Sequence, residues 1–96
     1  MALDMTAALG IVKARLNRLP SDTSLDEYLS ARIEAAANEL TKIGITLDDS
    51  TDDLMLVVDT AVWQYSNRDK PGGMPDWLRL RRRERWLREG VVNDDP

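Results

Sequence analysis

The 96-residue chain contains no cysteine, no histidine and no phenylalanine, and only 5% of its residues are aromatic. Without Cys or His it has no thiol nucleophile, no imidazole base and no zinc site of the usual kind, so carboxylates and hydroxyls are the only groups left for a reaction. Without Cys there is no disulfide, and nothing in the sequence asks for an oxidising compartment. Long apolar runs are missing too. The opening "MALDMTAALG" has no basic start followed by an apolar stretch, and no segment approaches the ~20 apolar residues of a membrane span. These absences predict a non-enzymatic protein without cofactor or metal, folded in a cytosol and making no contact with a membrane.

What remains is ordinary in amount and uneven in placement. The chain is 43% hydrophobic and 31% charged, with a formal net charge of −4. Residues 1–68 hold eleven acids against six bases, whereas residues 77–88 hold six arginines against Glu84 alone. At this length one domain spanning 1–96 is expected, with a thin core for which association would add stability.

Hydrophobic periodicity reads as helix throughout. A first helix is expected from about Asp4 to Leu19, on Leu9, Val12, Leu16 and Leu19, closed by Pro20. Ser24 and Glu27 have the spacing of a capping box and would start a second helix. Its stripe Leu29, Ile33, Ala36, Leu40 and Ile43 runs without a break to Gly44, placed as a C-terminal glycine. The polar stretch "ITLDDSTDD" reads as a loop in which Ser50 or Thr51 caps a third helix. That helix carries Leu54, Val58, Ala61 and Tyr65 on one stripe, widened by Met55 and Val62 toward full burial. "NRDKPGGMP" breaks the pattern, Pro75 suits the first turn of a fourth helix over roughly Asp76 to Glu89, and Gly90 ends it before a loose tail from about 91. The expected fold is all-α, a small domain of about four helices with the second and third as a central antiparallel pair and a basic C-terminal helix.

Two clusters could carry function. Asp48, Asp49, Asp52 and Asp53 lack the alternate acids, the sixth-position glycine and the twelfth-position glutamate of a calcium loop, and they lie where a helix N-terminus attracts negative charge. They read as capping groups. The second cluster, "MPDWLRLRRRERWLREG", gathers six arginines and two tryptophans in residues 74–90. On a wheel of about 100° per residue, Trp77, Leu80 and Leu87 fall on one side, the expected core side. The arginines fill much of the rest, with Trp86 and Leu78 among them. Tryptophan and arginine are the residues most enriched at energetic centres of interfaces, and guanidinium groups pair bidentately with carboxylates. Arg79, Arg82, Arg83, Arg85, Trp86 and Arg88 are therefore the candidate protein-interface residues, meeting an acidic surface of the next subunit or of another partner. The alternative is a small nucleic-acid-binding regulatory protein that uses the same arginines on phosphates. The overall acidity and the lack of base-reading Asn, Gln or Ser on that helix weigh against sequence-specific binding, and leave non-specific contact with DNA.

The stretch from Asp52 to Glu89 resembles the small head-tail connector (adaptor) proteins of tailed bacteriophages and prophages. In that family a helix rich in alanine and acids, here "LDEYLSARIEAAANEL", leads to an apolar helix ending in an aromatic-x-x-Asn-Arg element, here Tyr65, Ser66, Asn67 and Arg68 with Trp63 before it. The likeness covers residues 24–89, and its distinctive parts are the Asn-Arg element and the Pro-Asp-Trp-Leu turn. It implies a helical structural protein whose copies form a ring beneath the portal protein, extend the DNA channel and present a surface to the next neck or tail component. It places the protein in the virion neck, and in the host bacterial cytoplasm during assembly. It implies no catalysis. The family's C-terminal segment reaches toward the portal or a neighbouring subunit, and its counterpart here is Trp77 to Glu89, more basic than the common pattern. Asn67 and Arg68 read as ties between the third helix and the following turn, or equally as exposed groups.

Overall fold

The computed structural model describes residues 3–69 and 72–93, with side chains as far as Glu89. Four helices follow one another: α1 (Met5–Arg15), α2 (Asp26–Lys42), α3 (Thr51–Ser66) and α4 (Asp76–Asn93). No strand occurs among the described residues. The all-α expectation holds. α2 and α3 make the most extensive helix pair, α1 packs on both, and α4 rests mainly on α3.

α3 is the central element because its sequence is apolar on nearly every side. Leu56, Val57, Val58, Thr60 and Ala61 are all buried, and Thr60 satisfies its hydroxyl on the Leu56 carbonyl at 2.8 Å. Against them lie Leu29, Ile33, Ala36 and Leu40, the regular stripe of α2, and Ala8 and Val12 of α1. Ser50 caps α3, its hydroxyl accepting from the Asp53 N–H at 3.2 Å. At the other end the Asn67 side chain donates to the Trp63 carbonyl at 2.9 Å. Arg68 bonds the Tyr65 carbonyl and lies over the Tyr65 ring at 4.2 Å. Both side chains bond back to carbonyls of α3 rather than to the turn that follows, and Arg68 is exposed as it does so.

Several boundaries differ from the sequence expectation, each for a local reason. α1 stops at Arg15 rather than near Leu19, which is 70% exposed. Asn17 takes a left-handed φ of 60°, and the N–H groups of Asn17 and Arg18 bond back to Ala14 and Lys13, a Schellman closure that needs no proline. The capping box does not form. Ser24 spends its hydroxyl and its N–H on Asp22 Oδ1, at 2.7 and 3.0 Å, so α2 begins at Asp26 behind Leu25, which makes no side-chain cap. Gly44 closes α2 as expected, with φ +109°. Ile43 leaves the stripe there and is 42% exposed, while Ile45 and Leu47 in the supposedly polar connection are buried. They alternate with exposed Thr46, as side chains on an extended segment do. α4 continues through Gly90 to Asn93, so the expected tail from about 91 is helical at 91–93, and residues 94–96 lie outside the described residues.

Candidate interaction site on the arginine helix

α4 faces the core with the side opposite to the one its leucines suggest. Leu78 is fully buried, whereas Trp77, Leu80 and Leu87 are 50%, 58% and 41% exposed. The reason lies in α3, which buries two carboxylates under this helix. Asp53 and Asp59 are 1% and 6% exposed, and a buried carboxylate requires a cation or several hydrogen bonds beside it. A helix supplying one leucine and three arginines to that surface satisfies it better than one supplying only apolar groups.

Three ion-pair clusters follow along the inner face. Arg81 pairs with Asp59, whose other oxygen takes Arg15 of α1 at 2.6 Å, so one carboxylate joins α1, α3 and α4. Arg82 reaches Glu39 of α2 at 3.0 Å, and the second oxygen of Glu39 accepts from Gln64 of α3 at 2.8 Å. Arg85 binds Asp53 with two nitrogens, at 2.8 and 3.2 Å, and donates to the Thr46 carbonyl at 2.6 Å. Asp53 in turn accepts the Asp48 N–H at 2.9 Å, so this pair also ties down the start of α3. The hydrogen bond to Asp53, opposed by some desolvation, raises the pKa of Arg85 above its already high ordinary value. Its charge is permanent at any working pH.

The outer side is different. Arg83 and Arg88 are exposed and form no ion pair with another described residue. Arg79 holds only Asp76, in a solvent-exposed pair one turn away, an arrangement that stabilises little. Trp86 is 42% exposed. One edge of its indole lies over Gly44, where an added Cβ would stand 3.3 Å from Nε1. Between this indole and the end of α2 runs an open groove of about 760 Å³, lined by Ile43, Arg79, Leu80, Arg82, Arg83 and Trp86.

The six candidate residues thus divide. Arg82 and Arg85 are engaged within the chain, while Arg79, Arg83, Trp86 and Arg88 face outward. The expectation that Trp77, Leu80 and Leu87 pack on the core is corrected, because buried acids recruit arginine to that place. One signal in the sequence pointed there: Asp59 stands alone inside the apolar run "LMLVVDTAVW", and an acid so placed needs a cation from elsewhere in the fold.

Of the acidic loop, only Asp48 bonds beside the cap residue Ser50, while Asp53, expected as a solvated capping group, is buried in its pair with Arg85. Asp48 accepts the Ser50 N–H at 2.8 Å, and hydrogen bonding from Ser50 lowers its pKa below the ordinary carboxylate value. No group of three or more metal-ligating side chains occurs among the described residues, and none of their helices is long and apolar enough to cross a membrane. Compared with family models, curated proteins and solved structures, the chain has no match.

Proposed function

We propose that this protein acts by binding, without catalysis, as a head-tail connector: copies assemble into a ring in the neck of a bacteriophage, between the portal protein and the tail components, around the DNA channel. The observation that carries this reading is the two-sidedness of α4. Its inner arginines hold the helix in one orientation, and that orientation presents Trp77, Leu80, Trp86 and Leu87 to solvent among Arg79, Arg83 and Arg88. Exposed tryptophan and leucine interspersed with guanidinium groups have the composition enriched at interface centres. The helical order that resembles the connector family agrees with it. Assembly would take place in the bacterial cytoplasm, and the finished ring would stand in the virion neck.

Nucleic-acid regulation is less well supported, because Arg81, Arg82 and Arg85 are already bound to carboxylates of the same chain. Few arginines remain for phosphates. Negative-stain electron microscopy of the purified protein at low salt tests the choice. Closed rings with an open centre are expected. A field of single small particles, together with tight duplex-DNA binding that weakens steeply with salt, would replace the connector reading with the nucleic-acid one.

A further inference from the structure

The exposed strip of α4 calls for a mate that is helical, low in profile and acidic, and the outer side of α2 has those properties. With Leu29, Ile33, Ala36 and Leu40 turned into the core, α2 exposes Glu27, Ala31, Glu34, Ala35 and Asn38 along its opposite side. Alanines leave a shallow surface against which the large side chains of another helix can pack as a ridge in a groove. The exposed cation Lys42 marks the C-terminal end of this side of α2 and confines incoming arginines to its N-terminal two-thirds.

Other mates within the chain fit less well. Two α4 strips facing each other would bring the exposed arginines of one copy close to those of the other, and like charges repel. Of the four acids of the 48–53 loop, Asp53 is taken by Arg85 and Asp48 accepts the Ser50 N–H, and the two left exposed, Asp49 and Asp52, have no alanine surface beside them. We infer that the outer side of α4 in one copy docks on the outer side of α2 in a second copy, with Leu80 and Leu87 lying along the surface of Ala31 and Ala35, and Arg83 paired with Glu34. The inference rests on the assembly reading above and names its contact. The two surfaces share no residue, so each copy offers one of each. Such head-to-tail contacts close into a ring when the rotation between copies allows it.

Charge reversal tests the contact, read as mass by light scattering at low salt, with helical circular dichroism confirming that each variant folds. Arg83 and Glu34 are both exposed, so neither Arg83→Glu nor Glu34→Arg disturbs the core. Each single variant should fall from a multi-subunit mass to the 10.9 kDa of one chain. The double variant Arg83→Glu/Glu34→Arg should regain the large mass, since the pair is restored with its signs exchanged. If Glu34→Arg assembles like the wild type while Arg83→Glu does not, the mate of α4 lies elsewhere, and this inference fails while the assembly reading stands. A wild-type protein that stays a single chain at every salt and concentration overturns both.

Discussion

Gly44 shows how much a single position can settle. Its φ of +109° is a conformation that side-chain-bearing residues rarely adopt, and the Trp86 indole stands where a side chain would point. The residue therefore ends α2 and seats the outward tryptophan of α4 at once. Replacing it with alanine imposes left-handed backbone strain of about 1–2 kcal/mol and pushes on the indole. Gly44→Ala should lower the urea midpoint accordingly and change the Trp86 contribution to fluorescence. An unchanged midpoint would mean that the turn relaxes without strain. The glycine's terminal role was legible from its place after the stripe of α2. Its contact with Trp86 was not, because the contact joins residues 42 positions apart and no local pattern encodes it. Ser24 teaches the converse lesson. Its spacing from Glu27 promised a cap, but Asp22 is nearer and takes its hydroxyl.

Among the elements, α2 and α3 were readable because their burial follows from their own apolar content. α4 was readable as a helix but not in its orientation. An amphipathic pattern tells which face is apolar, and burial usually follows it. Here the surface beneath contains Asp53 and Asp59, and the balance shifts toward cations. The attachment of α4 is consequently ionic in large part, with Leu78 as its one fully buried apolar anchor among the described residues. Arg85 is the most enclosed of its cations, with side-chain exposures of 11% for Arg85 and 2% for Asp53. Arg85→Ala leaves that carboxylate buried without its ion pair and should destabilise the fold by about 3–5 kcal/mol in urea titration, the usual loss when one partner of a buried pair is removed. A loss below about 1 kcal/mol would place the pair in the class of solvent-screened surface bridges. The double variant Arg85→Met/Asp53→Leu should recover much of the stability, since neither charge of that pair then remains buried.

For the whole molecule, the charge asymmetry of the sequence turns out to be largely consumed within the fold. The basic C-terminal segment lies along the acidic remainder of its own chain, and three of its six arginines are neutralised there. This orients α4 and leaves its outward side, where apolar side chains are interspersed with arginines, for the association proposed above. Stability and assembly should therefore respond to different substitutions on one helix. Leu80 sits in the outward strip at 58% exposure and contributes nothing to the buried core. The most direct test is sedimentation equilibrium of Leu80→Glu beside the wild type, with thermal unfolding of both followed by circular dichroism. Loss of a central interface residue typically weakens binding by about 2 kcal/mol or more, roughly thirtyfold. The account predicts at least that loss of association, with a melting temperature that matches the monomeric protein. Undiminished association would contradict it, and so would a melting temperature lowered as far as a core substitution lowers it, because α4 would then be turned the other way.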